Sequence, residues 1–133
     1  YQTFVPKEHA EKVFEEQLRL SHEANLPPFL AVLKKHRPDP FWMTHAVDGY
    51  SLALDFPVTQ HNRERLYELT RQMTEVVLKH GGRFYFAKDG VLEPSDVEAA
   101  WPTTTLQKFR EMKNRLDPHH TLQTDLSRRL FTF

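Results

Sequence analysis

Hydrophobic and polar residues repeat with two different periods along the first two thirds of the chain. Between residues 50 and 57, large apolar side chains recur at every second position, which is typical of a strand with one buried face. In residues 7–24 and 63–80 they recur every three or four positions, which is typical of an amphipathic helix. In chain order, the pattern predicts a strand at 2–5, a helix at 7–24, strands at 29–36 and 50–57, a helix at 63–80 and a strand at 83–87.

Residues that stop or cap helices separate these elements. Asn25, followed by Pro27 and Pro28, is expected to end the first helix, and Asn62 is predicted as the N-cap of the second. Gly81 suits the left-handed conformation that commonly follows a helix. The stretch 37–40 predicts a turn because it reads Arg-Pro-Asp-Pro, and residues 41–48 follow no regular period.

The last third of the chain predicts helices. A short helix leads to Trp101, residues 103–105 are three threonines that can cap a long helix, and Asp117 with Pro118 ends it. The tail at 122–130 has no long period. The residues predicted to point inward are Ala10, Val13, Phe14, Leu18 and Ser21 in the first helix, Leu66, Leu69, Met73, Val76 and Val77 in the second, and Leu106, Phe109, Met112 and Leu116 in the last long helix.

The order βαββαβ, followed by helices, predicts an α+β fold of the ferredoxin-like type, with an antiparallel sheet, helices on one face and additional C-terminal helices. Strand 29–36 begins with an apolar run, so we expect both of its faces to be covered. In strand 50–57, Leu52 and Leu54 should face the helices, whereas Ser51, Ala53 and Asp55 should face the other way. No segment is predicted to cover that second face, and the pattern alone favours an ordinary solvated surface over a binding site.

Composition excludes several classes of function. The chain of 133 residues suits one domain, and its net charge of zero argues against a nucleic-acid-binding surface. It contains no cysteine, which excludes disulfides, thiolate zinc sites and iron–sulfur clusters, and fits a cytoplasmic protein. No apolar run is long enough to predict a transmembrane helix.

The spacing of the histidines and glycines predicts neither a metal site nor a phosphate-binding loop. None of the eight histidines shows the helical spacing with a carboxylate that a zinc hydrolase uses, so no metal site is predicted. The four glycines form no phosphate-binding loop, and the chain therefore cannot cradle the pyrophosphate of FAD or NAD by itself. Lys88 follows the strand at 83–87, where the pattern alone predicts an exposed side chain.

Several blocks nevertheless resemble a known family. Residues 49–57 read Gly-Tyr-Ser-Leu-Ala-Leu-Asp-Phe-Pro, residues 81–89 read Gly-Gly-Arg-Phe-Tyr-Phe-Ala-Lys-Asp, and residues 125–130 read Asp-Leu-Ser-Arg-Arg-Leu. Together with 1–6 and 29–34, these blocks resemble the cap domain of the vanillyl-alcohol-oxidase superfamily, and the match is closest to the branch that contains decaprenylphosphoryl-β-D-ribose oxidase. The resemblance covers essentially the whole chain.

This resemblance implies a two-domain FAD-dependent oxidoreductase in which residues 1–133 form a single cap domain with a C-terminal tail. An N-terminal domain outside this chain would hold most of the FAD, and the chain begins at Tyr1 rather than at Met, so we expect it to be part of a longer protein. The implied reaction is oxidation of a carbinol C–H in a sugar or sugar-like substrate by hydride transfer to flavin. The chain alone is expected to be inactive.

The resemblance also implies roles for individual residues. Lys88 is similar to a catalytic lysine that contacts both flavin and substrate, and Tyr85 is similar to a flavin-binding tyrosine. Three positions separate them, so in a continuous strand they would point to opposite faces. The strand must therefore end or twist between them if both meet the flavin. The residues that match substrate-pocket positions are Gln2, Leu30, Lys34, His36, Ser51 and Ala53. In the family branch, Asn and Cys stand at the positions of Ser51 and Ala53, and Phe at that of His36. These departures indicate a substrate other than polyprenyl-phosphoribose.

Other interpretations stay open. The cap of a sterol-type double-bond reductase or of a lactone or alditol oxidase fits the same resemblance, and a non-catalytic ferredoxin-like binding or interaction module fits the pattern alone. The expected partners are a small-molecule substrate such as a sugar derivative, the chain's own N-terminal FAD domain and, through the uncovered sheet face, a second copy, but no nucleic acid. Membrane association of the full-length protein is an alternative to a purely cytoplasmic location. The electron acceptor, covalent flavin attachment, general base and oligomeric state are left open.

Overall fold

The computed structural model describes residues 1–131 and Phe133. Its strands are β1 (Gln2–Pro6), β2 (Leu30–His36), β3 (Gly49–Asp55) and β4 (Arg83–Phe84), and its helices are α1 (Ala10–Glu23), α2 (Arg63–Lys79), α3 (Pro94–Ala100), α4 (Thr103–Leu116) and α5 (Asp125–Leu130). A 3-10 turn at Phe86–Lys88 follows β4.

The four strands form one antiparallel sheet in the order β2-β3-β1-β4. Each βαβ half contributes one central and one edge strand, which is the split arrangement of the ferredoxin-like fold. The predicted α+β fold class is therefore confirmed.

Helices α1 and α2 cover one face of the sheet because each carries an apolar stripe. Leu52 and Leu54 of β3 and Val5 of β1 are buried beneath residues such as Val13 of α1 and Met73 of α2. The predicted inward residues of both helices are buried or half-buried, with one exception: Leu18 is exposed. Gly81 adopts a φ of +67°, which confirms the predicted left-handed position after α2.

The prediction that both faces of the strand at 29–36 are covered is wrong. Strand β2 lies at the edge of the sheet, and its apolar side chains remain largely accessible; Leu33 is 61% exposed. The helices pack over the central strands and leave most of the edge strand uncovered.

The strand predicted at 83–87 is also shorter than expected. It ends at Phe84, and the chain turns at Tyr85 into the 3-10 turn. The strand ends before Tyr85 and Lys88, so strand alternation does not force these two residues onto opposite faces.

Helix ends differ from the prediction in three places. Helix α1 begins at Ala10 after a turn, and α4 is preceded by Pro102 at the N-cap, so none of the three threonines caps it. Asn62 occupies the N-cap of α2, but its Oδ1 accepts from the Thr59 amide at 2.7 Å instead of capping the helix.

The C-terminal third adds helices beside this layer. Leu106 is buried and Phe109 and Met112 are half-buried, whereas Leu116 is 71% exposed, contrary to the prediction. The tail contains α5, which the sequence pattern did not indicate. Among the described residues, none of the helices combines the length and the apolar character needed to cross a membrane.

Candidate functional site

The face of the sheet opposite α1 and α2 is here called the second face. Register places Gln2 beside Ala53, and Phe4 beside Ser51, on this face, because directly paired residues point to the same side. On β2, the residues that share it are Leu30, Val32, Lys34 and His36. All six predicted substrate-pocket residues therefore lie on one face of one sheet.

A polar cluster occupies the middle of this face. The Nε2 atom of His36 lies 2.8 Å from Ser51 Oγ, and Gln2 Nε2 donates to the same hydroxyl at 3.4 Å. Ser51 and Gln2 are buried, and His36 is half-buried. Hydrogen bonding across three adjacent strands satisfies the buried hydroxyl and holds the His36 ring at the rim of the cluster.

A row of rings continues from this cluster toward β4. The Phe4 ring lies 4.7 Å from His36 and 4.4 Å from His45 between ring centroids, and His45 lies 5.0 Å from Tyr85. His45 belongs to the irregular segment 41–48, which thus covers part of a face that was predicted to be uncovered. Phe4 is almost fully buried, so this face is not uniformly small and polar.

Both histidines are held toward the neutral form. Burial lowers the pKa of His36, and electrostatic repulsion from His45, when that ring is protonated, and from Lys34 lowers it further. Burial likewise lowers the pKa of His45, against a smaller opposing effect of Asp39. Neutral imidazoles can both accept and donate hydrogen bonds, which suits contacts with hydroxyl groups.

Arg83 fixes the segment that carries His45. Its Nη1 donates to the carbonyl oxygen of Thr44 at 3.1 Å, and the Trp101 indole Nε1 donates to the same oxygen at 2.8 Å. Burial lowers the pKa of the Arg83 guanidinium from its ordinary value, but a group with so high an intrinsic pKa stays charged. The cation therefore lies at the β4 end of the second face.

Lys88 lies at the end of the sheet rather than on the second face itself. Its Nζ donates to Asp55 Oδ1 at 3.3 Å, and its side chain is 42% exposed. Asp55 is paired with Leu30, so Lys88 approaches the second face at that corner. On its other side Lys88 lines a cleft of about 570 Å³, whose walls include Phe56, Leu66 and Val91.

The structure thus brings several predicted site residues into contact and leaves Lys88 apart from them. Gln2, His36 and Ser51 are joined by hydrogen bonds, and Tyr85 is connected to them through two rings. Lys88 contacts Asp55 at the far corner.

Four residues at this face were not predicted as site residues: Phe4, His45, Asp55 and Arg83. Strand parity in β1 would have identified Phe4. No signal could have identified His45, because segment 41–48 has no period. Among the described residues, no cluster of three or more His, Cys, Asp or Glu side chains is arranged to hold a metal ion.

Comparison with known proteins gives a distant relation. No protein-family model matches the chain. An uncharacterised protein in the mprA 5′ region of Streptomyces coelicolor is 32% identical over 91 residues, which is 68% of this chain and 23% of that protein. A decaprenylphosphoryl-β-D-ribose oxidase of Mycolicibacterium smegmatis is 27% identical over 134 aligned positions, which is 98% of this chain and 27% of that protein. The chain spans about a quarter of the length of these curated relatives. Over nearly its whole length, therefore, the chain is distantly related to an oxidase.

Proposed function

We propose that this chain is the substrate-binding cap of an FAD-dependent oxidoreductase that oxidises a carbinol C–H in a sugar-like substrate. The observation that carries the proposal is the convergence of Gln2, Lys34, His36 and Ser51 on one sheet face, with Lys88 at its corner. The relation to an oxidase along 98% of the chain supports it independently.

The proposed partner of the second face is a flavin-binding domain of the same, longer protein. Phe29 and Leu30 at the start of the edge strand are exposed, as are Phe41 and Trp42 in the following segment. Leu30 lies on the second face itself, and exposed apolar side chains there favour a contact with another protein surface, which would cover it. Leu33 lies on the opposite face of β2, so this contact does not account for its exposure.

The residues at the corner of the second face fit one edge of a flavin. The Lys88 ammonium is partly exposed and can donate to carbonyl or ring nitrogen acceptors. The Tyr85 ring lies against His45, on the β4 side of the second face. The sequence has no glycine-rich phosphate loop, so the pyrophosphate of FAD would be held by the other domain. When bound, FAD supplies the hydride acceptor of the reaction.

Lys88 would act as a fixed positive charge. Asp55 holds its ammonium 3.3 Å away at the sheet end, which limits the positions that a flexible lysine side chain can sample. A preorganised cation stabilises negative charge that develops during a reaction, because it needs no rearrangement at that moment. Lys88 is therefore proposed as the catalytic residue of this chain.

The polar cluster would select the substrate. Lys34 presents an exposed ammonium suited to a phosphate or another anionic group, and His36 with Gln2 offers hydrogen bonds to hydroxyl groups. Since His36, Ser51 and Ala53 differ from the residues of the family branch at these positions, we propose a sugar-like substrate other than decaprenylphosphoryl-ribose. A polar floor of this kind favours an alditol or sugar over a sterol.

The test uses the full-length protein. Lys88→Met should slow single-turnover reduction of the flavin, followed by stopped-flow absorbance, by about 100-fold, the typical loss when one preorganised donor is removed. Lys12→Met is the matched control, because Lys12 is exposed on α1, remote from the second face. An unchanged reduction rate in Lys88→Met would refute the role of Lys88.

A second measurement separates the substrate classes. Product analysis with alditols, lactone precursors and sterols as candidates should show oxidation of a carbinol carbon. Reduction of a double bond would assign the chain to a reductase instead. A full-length protein that binds no flavin would favour a non-catalytic binding module.

A further inference from the structure

The carboxylate of Asp89, the residue after Lys88, is fully engaged in hydrogen bonds. Its Oδ1 accepts from the backbone amides of Val91 and Leu92, each at 2.9 Å, and its Oδ2 accepts from Arg129 Nη2 at 2.7 Å. The Asp89 side chain is only 3% exposed. Residues 85–92 are here called the Lys88 loop. The buried Asp89 carboxylate fixes the backbone of this loop, because it accepts hydrogen bonds from two of the loop's own amides.

Arg129 of α5 contacts the same loop twice. Besides the bond to Asp89, its Nη1 donates to the carbonyl oxygen of Leu92. The rigid fork of a guanidinium can connect two acceptors in fixed geometry, which a lysine ammonium cannot reproduce. Arg129 thus connects the loop to a helix 40 residues further along the chain.

Helix α5 is itself well anchored. Thr124 Oγ1 accepts from the Ser127 amide at 3.1 Å, and the Ser127 hydroxyl oxygen accepts from the Thr124 amide at 2.8 Å, which forms a capping box. Leu130, next to Arg129, is 2% exposed in the core. Such a helix can hold the guanidinium in place.

The other end of the Lys88 loop is held by aromatic contacts. The Phe86 ring stacks on Trp101 at 4.8 Å and meets Phe131, which directly follows α5, at 5.9 Å between centroids. Lys88 therefore lies between two anchored residues, Phe86 and Asp89, and its side chain extends from this turn to Asp55.

We infer that Arg129 is a positioning residue for Lys88, acting through Asp89, and that α5 sets the place of the Lys88 ammonium at the corner of the second face. This inference rests on the function proposed for Lys88. A lysine has four rotatable side-chain bonds, so the position of its ammonium depends on how firmly the backbone that carries it is fixed. Small displacements of a charged group at a reacting centre reduce its effect steeply.

The neighbouring arginine supplies a matched control. Arg128 has the same charge and lies in the same helix. Within the part of the chain that the structure describes, its side chain bonds Gln123 and Asp125, which are near it in sequence, at an exposed surface. Removing Arg128 therefore leaves the Lys88 loop intact. A comparison of Arg129→Met with Arg128→Met separates positioning from loss of one positive charge.

The experiment uses the full-length protein with bound flavin and two independent readouts. The first is the rate of acetylation of the Lys88 amine, measured by mass spectrometry, which reports how long the ammonium stays at Asp55. The second is the midpoint potential of the flavin in Arg129→Met, Lys88→Met and the double variant. Arg129→Met should raise the acetylation rate several-fold and shift the potential in the same direction as Lys88→Met, and Arg128→Met should change neither.

The double variant is decisive for the coupling. If Arg129 acts through Lys88, the double variant has the same potential as Lys88→Met alone, because effects that pass through one group do not add. Additive shifts, or an unchanged acetylation rate in Arg129→Met, would overturn the inference. If Lys88→Met itself leaves the potential unchanged while Arg129→Met still raises acetylation, the proposed function fails and the positioning contact stands.

Two milder substitutions test the same contact in case Arg129→Met does not fold. Arg129→Lys keeps the charge but loses the fork, and Asp89→Asn keeps the shape but loses the negative charge. Both should raise Lys88 acetylation, by less than Arg129→Met does. If these two folded variants acetylate at the original rate, the loop is fixed without Arg129 and the inference is wrong.

Discussion

His36 Nε2 lies 2.8 Å from Ser51 Oγ, and this bond joins the edge strand β2 to the central strand β3 across the second face. The bond leaves the imidazole half-buried between the positive side chain of Lys34 and the rings of Phe4 and His45. A histidine in this setting is kept neutral at physiological pH, which prepares it to exchange hydrogen bonds with a hydroxyl-bearing ligand.

The charge of Lys34 should be visible in the titration of His36. Lys34→Met should raise the pKa of His36 toward the ordinary histidine value of about 6.5, because one of the charges that disfavour protonation is removed. Ring proton shifts followed by NMR across pH 4–9 measure the midpoint. Lys35→Met is the control, since Lys35 points to the opposite side of β2. An equal effect of both substitutions would contradict this assignment of charges.

The same shift makes stability depend on pH in a defined direction. The pKa values of His36 and His45 are lower in the folded state, so the unfolded chain binds protons more readily as the pH falls below about 6.5. Their contribution to stability is complete above that pH and is lost as the pH falls toward the lowered values. Asp117 does not interfere, because its pKa of about 2 lies far below this window.

Urea unfolding at pH 7.5 and pH 5 tests this dependence. His36→Gln, which keeps a hydrogen-bonding side chain but does not titrate, should lose less stability between the two pH values than the unmodified protein loses. His22→Gln is the control because His22 is exposed on α1. A loss in His36→Gln as large as in the unmodified protein would count against the lowered pKa.

A buried ion pair connects α2 to α3. Arg71 binds both carboxylate oxygens of Asp96, whose side chain is 4% exposed and also accepts from the Glu93 amide at 2.8 Å. Arg71→Met leaves this carboxylate buried without its cation and should lower the free energy of unfolding by about 3 kcal/mol.

The matched control for this pair is Lys7→Met. Lys7 and Asp48 form an exposed pair, whose removal should change the free energy of unfolding far less than the removal of Arg71 does. Both are measured by urea unfolding at neutral pH. If both variants lost a similar free energy of unfolding, the burial of Asp96 would not determine the cost of removing its cation.

Gly49 is required by a close approach of two strands. A Cβ atom at this position would lie 2.0 Å from the carbonyl oxygen of Val5 in β1. Gly49→Ala should therefore force the strands apart and destabilise the protein by about 3 kcal/mol. Gly90→Ala is the control, because nothing lies within 4 Å of its Cβ position, and it should stay within about 1 kcal/mol. A folded Gly49→Ala protein of unchanged stability would contradict the observed packing.

Much of the fold could be predicted because it depends on local periodicity. Leu52 and Leu54 alternate with Ser51 and Ala53, and that alternation alone assigns them to opposite faces of β3. The exposure of Leu33 could not be predicted in this way, since an apolar run looks the same whether a strand is central or at an edge. Strand order decides that difference, and it depends on contacts between distant segments.

The candidate site likewise has one part that local pattern predicts and another part that it does not. Its second-face residues on β2 and β3 follow from alternation within a strand, which is a property of neighbouring residues. The contact of Phe4 with His45 and the bond of Asp89 to Arg129 join residues about 40 positions apart, and no local period encodes them. Local pattern was therefore sufficient for the elements and their faces. Tertiary structure alone decided which edge stays open and what holds Lys88 in place, because these depend on how separate elements pack against one another.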